Sequence, residues 1–215
     1  MVASLLVALV ALAGCKDKVQ YTERAGSSPA DAPTSRYGTP PQQQAADGGA
    51  ATSPAGGTTV AGITFNPPAG WQNLGADGMR QAQFRLAPVE GDTEAAEVNV
   101  FYFGAASGGG VEANLARWIG QMQLPNGGDP AAAASRSTFT ADGMPGHVVS
   151  LDGTYMSGSM RPMGGGEKTP KEGFRLVGVV LEGPQGSVFF KLTGPAATAG
   201  AMEGELMTMV QAAHK

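Results

Sequence analysis

"FRLVGVVLEGPQGSVFFKLTGP", residues 174–195, decides the fold. Phe174 to Leu181 and Val188 to Thr193 are rich in β-branched and aromatic residues, and Gly183, Pro184 and Gly186 interrupt the run between them. Two parallel strands need a crossover of a dozen or more residues, usually a helix. The connection here is too short for one, so the strands are expected to be antiparallel neighbours.

Working outward, the same period-two pattern marks Ile63 to Asn66, Arg80 to Leu86, Glu97 to Phe103, Ser137 to Thr140 and His147 to Tyr155 as strands, bounded by Gly, Pro and Asp clusters. Two segments carry a helical stripe instead. Val111, Leu115, Trp118, Ile119 and Met122 recur at helical spacing, as do Met202, Leu206, Met209 and Val210. Strands come in runs rather than in strict alternation with helices. The expected fold class is therefore α+β, a mostly antiparallel sheet of about six or seven strands packed with two helices, one after the third strand and one at the end. Residues 60–215 are long enough for a single domain with one core and show no internal repeat. Trp71 and Trp118 are expected in that core.

The N-terminal stretch "MVASLLVALVALAGC" holds an apolar run from Leu5 to Ala13. A helix of this length covers about 20 Å, short of a hydrocarbon core of about 30 Å, but it suits the apolar region of a signal peptide. Leu12-Ala13-Gly14-Cys15 resembles the lipobox of bacterial lipoproteins. That resemblance implies a signal peptide over residues 1–14, cleavage before Cys15, and acylation of Cys15 with diacylglycerol and a further fatty acid such as palmitate. No Lys or Arg precedes the apolar run, which points to a translation start further upstream. Cys15 is the single cysteine of the chain, so an exported form has no internal disulfide, and lipidation accounts for the odd thiol. Two or three acyl chains exceed what stable anchoring requires. Lys16 after the cysteine, in place of Asp, favours the periplasmic face of the outer membrane by the enteric sorting rule.

Residues 15–59 contain Ala, Gly, Pro, Ser, Thr and Gln with almost no large apolar side chains. They cannot bury enough surface to offset an ordering entropy of about 1–2 kcal/mol per residue, and are expected to form a disordered linker with a mean reach of about 35–40 Å. The net charge is −4 and the cations are scattered, with no basic stripe for nucleic acid.

Several segments invite chemistry. Gly108-Gly109-Gly110 opens the first helix after a strand, with Asp129 some way on, in the outline of a dinucleotide fingerprint. Asp129 lies in "PNGGDPAAAA" instead of ending a second parallel strand, so the glycines read as a strand-to-helix connection and no cofactor is expected. His147, Ser150 and Asp152 share a strand, where His147 and Ser150 face opposite ways and cannot form a triad. Glu90, Asp92, Glu94 and Glu97 lack the EF-hand order and read as a solvated turn. Arg117 reads as a charge at the polar edge of its helix. Residues 153–173, "GTYMSGSMRPMGGGEKTPKEG", read as a long loop. Its Met156, Met160 and Met163 are candidate Cu(I) ligands, since thioethers are soft donors, but no His or Cys supports them.

"FNPPAGW" at 65–71 and "VFFKLTGPAATAGAMEGELMTMV" at 188–210 are similar to the opening and closing segments of PsbP-like domains, which implies an antiparallel sheet packed between helices and transfers no site residue. "MRQAQFRL", "FYFG", "VEANLARWIGQM", "GTYM" and "FFKLTGP" resemble segments of uncharacterised lipoproteins of planctomycete type. The function expected from these readings is that of a non-enzymatic, membrane-anchored envelope lipoprotein that binds or assembles with another envelope protein. The alternative is a small-ligand or Cu(I)-binding module using residues 153–173 and the open side of the sheet.

Overall fold

The central hairpin joins β9 (Thr169–Gly183) to β10 (Gly186–Pro195). Only Pro184 and Gln185 separate them, and the register runs from Gly186↔Gly183 to Pro195↔Phe174. The antiparallel expectation holds, with strands several residues longer than the apolar runs. The computed structural model describes residues 57–105, 107–158 and 168–215.

The remaining elements are β1 (Thr58–Val60), β2 (Ile63–Phe65), β3 (Gln72–Asn73), β4 (Arg80–Leu86), β5 (Ala96–Phe101), α1 (Val111–Ile119), β6 (Met122–Gln123), α2 (Pro130–Ala133), β7 (Ser135–Ala141), β8 (Met144–Ser157) and α3 (Ala196–Gln211). The main sheet runs β3-β4-β5-β10-β9-β8-β6, with β7 also on β8, and β1 and β2 form a separate pair. Every strand pair is antiparallel. The class is α+β, as expected. The additional strands β1, β3 and β6 have only two or three residues, too few for a period-two pattern to register.

β7 and β8 meet at Asp142-Gly143, whose φ values of 46° and 71° suit the two-residue hairpin turn that matches strand twist. β1 pairs with β2 through Val60↔Ile63, so the structured domain begins before residue 60 and takes Thr58 and Thr59 from the expected linker. The expected signal peptide and the linker up to residue 56 lie outside the described residues.

One helix covers each face of the sheet. On one side, Leu206, Met209 and Val210 of α3 join Phe84, Val98, Val100, Val179, Phe190 and Leu192, with Ile63, Phe65 and Trp71 closing the end. On the other, Leu115, Trp118 and Ile119 of α1 cover Val149, Leu151, Leu176, Val180 and Phe189. Both tryptophans are buried as expected, and the Trp71 Nε1–H donates to Glu205 Oε2 at 2.7 Å. Trp118 lies flat enough on β9 that a Cβ at Gly178 would come within 2.2 Å of its ring, so that position must be glycine. α1 ends at Ile119 with Gly120 as C-cap, and Met122, expected on the helix, belongs to β6.

The acidic turn is more than a solvated connection. Asp92 Oδ2 accepts from the Thr198 N–H at 2.9 Å and from Thr198 Oγ1 at 2.5 Å, in the first turn of α3, whose own N-cap is Pro195. The carboxylate thus satisfies an orphan donor and meets the positive end of the helix dipole. Asp92→Ala is expected to lower stability by about 1–2 kcal/mol, and Asp92→Asn to lose less, in urea denaturation. A loss within error for Asp92→Ala would show that Asp92 is not the cap.

Candidate functional site

The period-two pattern places one unusual residue on the α1 side of the central strand. Phe189, Lys191 and Thr193 of β10 share that face, with Val188, Phe190 and Leu192 on the other. Lys191 is 8% exposed. Its cross-strand partners are Gly178, beneath Trp118, and Asn99, which in turn lies opposite Gln83. A polar row therefore crosses β10, β5 and β4 where the cover of α1 stops.

Two groups from the far side close over the amine. Lys191 Nζ donates to Gln121 Oε1, just beyond α1, and to the Tyr155 hydroxyl at 3.0 Å. It stands 4.8 Å from the centre of the Tyr155 ring. Burial, and after it the charges of Arg117 and Arg80, push the amine from the ordinary lysine value of 10.5 down to about 8. Burial likewise raises the Tyr155 phenol, keeping its O–H a donor. Asn99 Oδ1 is buried without a donor among the described residues.

The surrounding charges are mostly paired. Arg85 binds Glu97 at 3.1 Å, Arg80 reaches Asp77 at 3.5 Å and Gln83 at 3.0 Å, and Lys171 pairs with Glu94. Arg117 instead donates to the amide oxygen of Asn114. Buried Asn114 spends its own N–H groups on the carbonyls of Gly108 and Gly110, at 2.8 and 3.0 Å. Beyond α1 the sheet face stays partly open: Gln83, Asn99 and Phe101 are half-buried and Arg85 is exposed, while the alternate residues of β4 and β5 are fully buried.

Among the described residues, those singled out in the sequence are not brought together. Cys15, Met160 and Met163 lie outside the described residues. Met156 lies on a strand, not on the expected loop: β8 continues to Ser157 and β9 starts at Thr169, with Met156 opposite Pro170 and its N–H donating to Gln121 O at 2.8 Å. The long loop of 153–173 is thus shorter at both ends, because the hairpin strands extend through its polar residues. His147 Nε2 bonds Glu182 Oε1 at 2.8 Å. Asp152 takes a two-point bond from Arg175, Nε–Oδ1 at 2.6 Å and Nη2–Oδ2 at 2.7 Å, and Arg175 also reaches Glu203 on α3. Those bonds hold the guanidinium charged and leave His147, Ser150 and Asp152 apart. Gly104, Gly108, Gly109 and Gly110 line a small hollow of about 270 Å³ with Ser187 and Phe189. Asp129 caps α2, accepting from the Ala131 N–H at 2.9 Å, and is engaged locally. Lys191 is not among the residues that the motifs single out, although a lone lysine in the apolar alternation "VFFKL" is a readable signal.

Among the described residues no helix is long and apolar enough to cross a membrane. No protein-family model matches the chain, and no curated protein matches its sequence. In three dimensions it is similar to the solution structure of cyanobacterial PsbP (CyanoP) from Synechocystis sp. PCC 6803, with a TM-score of 0.42 and 11% identity over 72% of this chain and 86% of that one. The α+β class rests on the strands and helices themselves.

Proposed function

We propose that this protein is a lipid-anchored envelope protein whose domain is a non-enzymatic binding or assembly module. The observation that carries this reading is the part of the sheet face that the described residues leave partly open beyond α1, where half-buried Gln83, Asn99 and Phe101 of β4 and β5 lie on the same side as the recessed Lys191. Rigid strands present these groups at low ordering cost, and the mixture of Arg, Tyr and Phe suits recognition surfaces. Acylation at Cys15 would hold the domain at the periplasmic face of the outer membrane, and the segment between Cys15 and β1 would set its reach.

The test is crosslinking of the anchored protein in its native envelope, followed by affinity isolation. A stoichiometric protein partner, lost when Gln83 and Arg85 are changed to Ala, is the expected result. No partner, or capture indifferent to those changes, would defeat the reading. The anchor is tested separately: Cys15→Ala should move the protein from the membrane to the soluble fraction, and a variant that still pellets after a carbonate wash would refute lipidation.

A further inference from the structure

We infer that β7 is a docking edge for a second copy of this chain, the two β7 strands pairing antiparallel about Thr138 so that one sheet runs through both molecules. This edge lies at the far end of the main sheet from Gln83 and Arg85, and its pairing is independent of the face those residues present.

β7 is paired along its whole length, but on one side only. Ser135 to Ala141 match Ser150 to Met144 of β8 without a register shift, and among the described residues no other strand pairs with β7. The Asp142-Gly143 turn fixes which backbone groups are left over. A two-residue hairpin closes on a hydrogen-bonded pair, here Ala141↔Met144, so Phe139, Ser137 and Ser135 also turn their N–H and C=O groups toward β8. Arg136, Thr138 and Thr140 turn theirs outward, to no backbone partner among the described residues.

Natural sheet edges are blunted by shortness, proline, lysine, a bulge or a cover. The opposite edge shows two of these devices: β3 has only Gln72 and Asn73, and β4 shifts register between Arg80 and Ala82. β7 shows neither. It is seven residues long, Ser135 to Thr138 and Thr140 are exposed, and its single charged side chain, Arg136, is held to Glu112 of α1 at 2.9 Å. A row of free backbone donors and acceptors fits an extended chain, and β7 is its own complement. With Thr138 on a twofold axis, Thr138 faces its counterpart and Arg136 faces the partner subunit's Thr140, in pairs that exchange both backbone bonds. The two Arg136 residues then stand about 14 Å apart along the strands, beyond a screening length of about 8 Å, so like charges do not oppose the pairing. On the other face of the strand, half-buried Phe139, whose ring lies over Gly146, gains cover from the partner subunit's Ser137. A contact one strand long, about 23 Å, falls short of the about 800 Å² per partner of a stable complex, so the pair is weak in free solution and gains from the effective concentration an acyl anchor would supply.

The experiment follows amide hydrogen exchange of the isotope-labelled full chain by NMR, in detergent micelles over a wide range of protein concentration. The amides of Arg136, Thr138 and Thr140 are expected to slow at least about tenfold as concentration rises, while those of Ser135, Ser137 and Phe139, bonded to β8, stay slow throughout. Sedimentation of the same samples should pass from one copy to two. Thr138→Lys sets like charges face to face on the axis at an exposed position, and should weaken pairing about tenfold or more with the unfolding midpoint unchanged. Exchange at the three outward amides that does not vary with concentration would overturn the inference, as would dimers that survive Thr138→Lys. Slowing that spreads to the exposed turns at Gly91 and Gly127 would mark unspecific aggregation and overturn it too. Slowing that appears only when envelope extract is added would assign the edge to another protein's strand instead of a second copy.

Discussion

Lys191→Met is expected to make the domain more stable at neutral pH and to remove a rise in its stability above pH 8. A lysine that titrates near 8 in the fold, against 10.5 when unfolded, costs the charged folded state about 3 kcal/mol. Below about pH 8 both states hold the proton and the penalty is complete. Between about 8 and 10.5 the unfolded chain binds more protons than the fold, so raising the pH favours folding, and above that range the penalty is gone. Methionine keeps the length and removes the charge, leaving Gln121 and Tyr155 each short of a donor at about 1 kcal/mol apiece, for a net gain of about 1–2 kcal/mol at pH 7. Arg117, Arg80, Glu97 and the raised phenol of Tyr155 face the same region, but they remain in the variant and largely cancel in the comparison. Denaturant unfolding of both proteins across this window gives the difference directly. A difference that stays flat with pH would mean that Lys191 is not desolvated as described.

Phe190→Ala should produce the largest loss of stability. Phe190 is completely buried on the central strand, opposite Val100 on β5 and Val179 on β9, and meets the Phe65 ring edge-on at 5.1 Å between centroids. The cavity would open where α3 meets the sheet, and strands paired on both sides cannot collapse into it. Deleting such a ring costs about 3–5 kcal/mol, which for a domain of this size lowers the melting temperature by on the order of 10 °C. Loss of less than about 1 kcal/mol would contradict the packing of α3 on this face.

The contrast between these neighbours shows what could be read in advance. That residues 188–192 form a strand follows from their alternation, and that one face is a core follows from Val188, Phe190 and Leu192. That Lys191 is buried does not follow, because alternation places it on the opposite face without saying what covers that face. Gln121 and Tyr155 cover it from 70 and 36 residues away. Asp92 is a parallel case: its place in an acidic run suggested solvent, and only the packing of α3 against the 87–95 turn turned it into a cap. The glycine-rich neighbours of Met156 lack a strand pattern and read as loop, and pairing with β9 overrides that local preference.

By itself, the sequence determined the antiparallel central hairpin, the α+β class and the buried faces of both helices, because a short connection forbids a crossover and periodicity is a local property. Tertiary structure alone decided which strands are neighbours, that α1 and α3 cover opposite faces, and that Lys191 is buried beneath Gln121 and Tyr155. Those outcomes depend on contacts between distant segments, where burial and charge are set by what packs against a residue and not by the residues beside it.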